Sequence, residues 1–187
     1  MSYSYVVNSQ KPTAVQHTIV CNFTSPTDRN LIIAKGNHLE IQTLAEDGLT
    51  PILDVGLFGK ITALDFYRPA NTHQDVIFVL TEKKHFSVIG FDSINKKLVT
   101  RAAGNVKDRV GRDIESGQRG FIDPNNSMIA MLLYEGLLKV IIYHAMSTLL
   151  CRIIRLLMTF ILLIVFFSVF RLFRSNQQVS RKHLIYV

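Results

Sequence analysis

The chain has no tryptophan and only two cysteines in 187 residues. Cys21 and Cys151 stand far apart, with no CxxC spacing and no histidine pair beside them, so neither a disulfide framework nor a cysteine-based metal site is expected. The opening Met1-Ser-Tyr-Ser-Tyr-Val-Val7 lacks the basic and apolar regions of a secretory signal, and the body reads as intracellular. On that reading the glycosylation patterns at Asn22 and Asn125 carry no weight. Catalytic signatures are missing too. Gly56-Leu-Phe-Gly59 has no Lys-Ser/Thr after it and is a turn rather than a phosphate loop. Gly104 to Gly111 has the wrong spacing for a dinucleotide fingerprint. His17, His38, His73 and His85 are scattered without an HExxH or cysteine partners. No enzyme and no cofactor are implied.

Acidic residues stop at Glu135, and glycine stops at Gly136. Up to Glu135 the chain carries 14 basic and 14 acidic residues, a balance of zero, so the whole formal charge of +7 lies in 137–187. A segment of that length would ordinarily hold several acids, glycines and prolines, because about a quarter of an average sequence is charged. The tail, taken as 143–187, belongs to another compositional class. Within it Leu156–Phe170 is strongly apolar and is flanked by Arg152, Arg155, Arg171 and Arg174. Fifteen helical residues reach roughly 22 Å, short of a hydrocarbon core of about 30 Å. Snorkelling arginines would extend the usable stretch to about 149–173, which makes a short membrane helix one reading of a helical tail. A splice, intron read-through or frameshift product is the other.

The body up to residue 142 reads as all-β. Apolar runs between turn residues mark strands at 18–23, 31–35, 39–44, 61–67, 76–81, 86–91, 97–101, 120–122, 128–134 and 137–142, and helical periodicity is scarce. Three stretches are alike: Asn30–Ile41, Asp75–Ile89 and Ser127–Ile141. Each is an apolar strand, a short polar turn and a second apolar strand, and each follows a proline-containing turn. Their ends are 48 and 52 residues apart, near the four-strand period of roughly 40 to 50 in a WD40-like blade. A partial β-propeller of about three blades is the expected fold; a β-sandwich built from the same hairpins is the alternative.

The residues themselves resemble the DNA damage-binding protein 1 family. The resemblance lies in Tyr5–Val15, Phe23-Thr-Ser-Pro-Thr-Asp28, Leu31–Lys35, Gly104–Arg112, Ile122-Asp-Pro124 and Leu133–Ile141, in order over about three quarters of the chain. Splicing factor 3b and polyadenylation factor large propeller subunits share that architecture, and the Gln10–Val15 block favours the damage-binding branch. The resemblance implies three seven-bladed propellers and an adaptor role in cullin-RING ubiquitin ligases of the DNA damage response, in nucleus and cytoplasm. Substrate receptors would be the protein partners, and DNA would be met indirectly. This chain would hold only the opening blades of the first propeller, so truncation would impair the adaptor.

The candidate partner-binding loop is 102–118, long between strands and rich in Gly, Arg and Asp, with Lys107, Asp108, Arg109 and Arg112 as its contact residues. A solvated mixed-charge connector is the competing interpretation. Direct nucleic-acid binding, suggested by a pI near 9.6, needs a basic patch in the body; the body's net balance weighs against it. Membrane contact through the tail completes the set of expected partners.

Overall fold

A computed structural model describes residues 10–70, 72–109, 111–123, 126, 128–142 and 154–157. They form twelve strands in three four-stranded antiparallel sheets, with no helix among them. The first sheet is β1 (Val15–Cys21), β2 (Asn30–Lys35), β3 (His38–Ala45) and β4 (Gly48–Gly56), in that order. The second is β5 (Ile61–Tyr67), β6 (Val76–Thr81), β7 (His85–Asp92) and β8 (Lys97–Asn105). The third contains β9 (Arg119–Ile122), β10 (Met128–Tyr134), β11 (Leu137–Ile142) and β12 (Ile154–Leu157). Each sheet meanders through neighbouring strands, the connectivity of a propeller blade.

The three sequence repeats are the central hairpins of these blades: β2–β3, β6–β7 and β10–β11. Central strands have partners on both edges and can be covered on both faces, so they read as apolar runs. Val76–Thr81 is buried along its whole length. Each hairpin turn places one residue at positive φ, namely Gly36 (59°), Lys84 (61°) and Gly136 (66°). Glycine bears that conformation without a Cβ penalty, and Lys84 does not.

The chain divides into two compact units, Met1–Lys107 and Asp108–Val187. In the first, the two blades pack face to face. Ile32, Ala34, Leu39 and Ile41 of the first blade share a core with Ile61, Ile77, Val79, Ile89 and Phe91 of the second. Cross-strand pairs such as Ile32↔Ile41 and Ile77↔Ile89 set the register, because a one-residue slip would turn the whole apolar set outward. In the second unit Ala130, Leu138 and Val140 pack with Phe121, Met128 and Leu132.

Two strands differ from the sequence expectation. β4 holds Pro51 and is mostly exposed, and it lies at the edge of its sheet, where proline costs no ladder bond. β12 corrects the helical reading at four residues of the tail: Ile154–Leu157, inside the stretch assigned to a membrane helix, is extended and pairs with β11 through Leu137↔Leu157 and Val140↔Ile154. The outer edge of β11 presents unpaired backbone groups, and an extended segment satisfies them where a helix would not. No helix among the described residues is long and apolar enough to cross a membrane. Arg152, Arg171 and Arg174, and the remainder of 149–173, lie outside the described residues.

Candidate functional site

β8 continues to Asn105, so the long connector is shorter than 102–118 and comprises 106–118. Its first part follows the β6–β7 turn, where the Val106 amide donates to the Lys84 carbonyl at 2.9 Å and the Val106 side chain is fully buried. Lys107 is exposed, and its amide donates to Asn105 Oδ1 at 2.8 Å.

The rest of the connector is tied to the β10–β11 hairpin. The Asp108 amide donates to Tyr134 Oη at 2.7 Å, and the Glu135 amide donates to the Arg112 carbonyl at 2.9 Å. Asp113 forms an isolated bridge with Tyr134. Gly111 lies flat against the Tyr134 ring, where an added Cβ would come within 2.4 Å of ring carbons. Lys139 is 5% exposed, with its ammonium 3.6 Å from Asp108 Oδ2 and 5.7 Å from the centre of the Tyr134 ring. A buried ammonium requires such compensation, since desolvation of an unpaired charge costs several kcal/mol.

The four residues grouped by sequence therefore play different parts. Asp108 turns inward and anchors the connector. Arg109 is exposed. Arg112 is exposed and lies 3.5 Å from both Glu115 Oε1 and Glu135 Oε2, long contacts of low strength at a solvated position. Arg109 and Arg112 are thus exposed cations on a stretch whose backbone is tied to the β10–β11 hairpin at Asp108 and Arg112, whereas the Lys107 amide is held within the first unit.

Two further features of the first unit were not read from sequence. One is a buried polar latch between its blades. Asp75 is 3% exposed; its Oδ2 accepts from the Asn22 amide at 2.8 Å and its Oδ1 from Arg68 Nε at 2.7 Å. The Asp75 amide donates back to the Asn22 carbonyl at 2.9 Å, and Gln74 Nε2 donates to the Phe23 carbonyl. Beside it is a cavity of about 350 Å³ lined by Tyr67, Val76, Val88 and Arg101 among others. The hydrogen bond and charge of Asp75 hold the Arg68 guanidinium pKa above its ordinary value. An Arg-Pro turn followed by Asp immediately before an apolar strand was the available signal.

The second feature is Phe58, 74% exposed between β4 and β5, with the Lys83 ammonium 4.0 Å from its ring centre. Cys21 is buried, and desolvation, with a smaller contribution from Asp75, pushes its thiol up to about 12. That is the opposite of the activation a nucleophilic cysteine requires. No group of three His, Cys, Asp or Glu among the described residues could hold a metal ion.

Comparison with known proteins agrees with this architecture. Residues 14–150 match the family described as RSE1/DDB1/CPSF1 first beta-propeller. The chain is 47% identical over 140 residues to DNA damage-binding protein 1a of Arabidopsis thaliana, covering 75% of this chain and 13% of that protein. It is 48% identical over 139 residues to DNA damage-binding protein 1b of the same plant, covering 74% and 13%. DNA damage-binding protein 1 of Oryza sativa subsp. japonica is 46% identical over 139 residues, with 74% and 13% covered. The chain spans 13% of the length of these curated relatives. With three four-stranded meanders at blade spacing and this match over most of its length, the chain belongs to the RSE1/DDB1/CPSF1 first beta-propeller family.

Proposed function

We propose that this chain is a protein-interaction scaffold that uses the 106–118 connector as a partner contact. The observation carrying this reading is the division of labour within the connector. Asp108, Gly111 and Tyr134 fix its path, while Lys107, Arg109 and Arg112 project into solvent. Loops on rigid frames are where binding concentrates, and fixing the backbone beforehand lowers the entropy lost on docking. Kinship with DNA damage-binding protein 1 relatives supports an adaptor of the cullin-RING type, with substrate receptors as partners, acting in nucleus and cytoplasm. As a scaffold the chain performs no turnover of its own. The pairing of Ile154–Leu157 with β11 supports reading the start of the tail as the fourth strand of the third blade, so that blade extends past the compositional boundary at 142.

The test is equilibrium binding of the purified full chain to a purified receptor of a cullin-RING ligase. Arg109→Glu combined with Arg112→Glu is expected to weaken binding roughly tenfold or more, through loss of charge complementarity. Equal affinity of the double variant and the parent would refute the connector's role, and no receptor binding by the parent would refute the scaffold role.

A further inference from the structure

One end of the first unit carries a second cluster of cations. The linker between β4 and β5, the β6–β7 turn and the start of the 106–118 connector are joined there by backbone hydrogen bonds. The Glu82 amide donates to the Lys60 carbonyl at 2.9 Å, and the Val106 amide to the Lys84 carbonyl at 2.9 Å. These bonds bring Lys60, Lys83, Lys84 and Lys107 together, with Glu82 as the acid within that turn. Lys60, Lys83 and Lys107 are exposed, and among the described residues none of the three forms an ion pair. Gly59 takes the linker onto the turn at φ 107°, a backbone conformation that L side chains rarely adopt.

Phe58 stands in this cluster 74% exposed, with Lys83 over its ring and His85 against it edge-on at 6.4 Å. An isolated exposed apolar residue needs no explanation. A phenyl ring fixed by a cation and surrounded by further cations has a defined chemistry, offering an apolar anchor inside a positive field. Lys84 adds to the case, because it holds a positive φ that the corresponding turns of the other two blades assign to glycine. A non-glycine residue there is strained, and such strain concentrates where a side chain is used.

We propose that Phe58, Lys60, Lys83, Lys84 and Lys107 form a docking surface for an acidic segment of a partner protein that places an aliphatic side chain against Phe58. The charge complementarity is direct, and the choice of lysine fits it. Lysines are flexible point charges suited to carboxylates along an irregular chain, whereas paired planar recognition of phosphate favours arginine. Single-stranded nucleic acid is served by several aromatic platforms in succession, and this surface has one. The inference rests on the scaffold reading but uses residues of the first unit, sharing only Lys107 with the connector.

The experiment is fluorescence anisotropy of the full chain with three probes. These are an acidic peptide of about twelve residues containing two leucines, the same peptide with serine for leucine, and an oligothymidylate of similar length. The leucine-containing peptide is expected to bind best, and to weaken roughly tenfold with Lys83→Glu plus Lys107→Glu and on raising salt. Phe58→Ser should erase the preference for leucine over serine. Lys60→Glu, in an exposed linker, is a second charge variant that leaves the hairpin untouched, and retention of the β circular dichroism signal shows that each variant is folded. No binding of the leucine peptide, equal binding by the charge variants, or tighter binding of the oligothymidylate would overturn the proposal. Peptide binding by a chain that binds no receptor would sink the scaffold reading alone, and receptor binding by a chain that binds no leucine peptide would sink this proposal alone.

Discussion

The latch between the first two blades gives the most quantitative test of the packing. Replacing Asp75 with Ala removes the acceptor of two hydrogen bonds, from the Asn22 amide and from Arg68 Nε, at a position only 3% exposed. The backbone bond from the Asp75 amide to the Asn22 carbonyl survives. A hydrogen bond to a charged group contributes roughly 1.5–3 kcal/mol, and a stranded buried donor adds a desolvation cost of about 1–3 kcal/mol. The Arg68 side chain, at 48% exposure, recovers hydration when freed, so its share is small. The sum is about 3 kcal/mol, or on the order of a hundredfold in the folding equilibrium. With a urea slope near 2 kcal/mol/M the midpoint should fall by about 1.5 M. Arg68→Ala should also cost about 2–3 kcal/mol, because it leaves a buried carboxylate short of a partner. The double variant should cost little more than Asp75→Ala alone, giving a coupling of at least about 1.5 kcal/mol. Urea denaturation followed by circular dichroism measures all three. Additivity of the two single effects to within about 0.5 kcal/mol would refute the latch.

Other expectations follow from single positions. Lys84→Gly should stabilise the chain by about 1 kcal/mol by relieving positive φ, and should at the same time weaken the acidic peptide; destabilisation in urea would contradict the strain. Gly104→Ala should destabilise by roughly 1–3 kcal/mol, because its Cβ would fall 2.6 Å from the buried Phe86 ring, and a neutral effect would show that the ring has room. Hydrogen bonds from Lys11, first, and His38 hold the Asp54 carboxyl below its ordinary pKa. A depressed folded pKa contributes stability above the unfolded value, lost as pH falls through the folded one, so the stability advantage over Asp54→Asn should begin to fall below about pH 4 and vanish at more acid pH. An advantage that persists in acid would sink that assignment. Cys21, with its thiol raised to about 12, should resist alkylation at pH 8 until the chain is unfolded, as read by peptide mass mapping.

Blade periodicity was legible because each central hairpin buries at least one face, and Val76–Thr81 both, so their apolar runs stand out against the turns. β4 was not, since an edge strand with Pro51 and mostly exposed side chains has neither the run nor the alternation that marks a strand. β12 was hidden for the opposite reason. Ile154–Leu157 sits in continuous apolar sequence, where composition alone does not separate strand from helix, and its strand identity comes from pairing with β11. The connector was legible as a loop from its glycines and charges. That Asp108 faces inward depends on Tyr134 and Lys139, residues some 26 to 31 positions later in the chain. Lys139 would pass for a solvated lysine by sequence, and only the fold buries it. Phe58 and the four lysines are brought together by turns from three separate stretches, a juxtaposition that no local pattern reports.

Hydrogen–deuterium exchange of the full chain, alone and saturated with a purified cullin-RING receptor, addresses the scaffold claim most directly. In the free chain, amides of β2, β3, β6, β7, β10 and β11 should exchange slowest, and those of the exposed stretch from Arg112 to Gln118 fastest, with Asp108 protected by Tyr134. Receptor binding should add protection at 106–118 and leave the outer strand β4 unchanged. Protection appearing on β4 while 106–118 stays as it was would contradict the assignment of the connector as the partner contact.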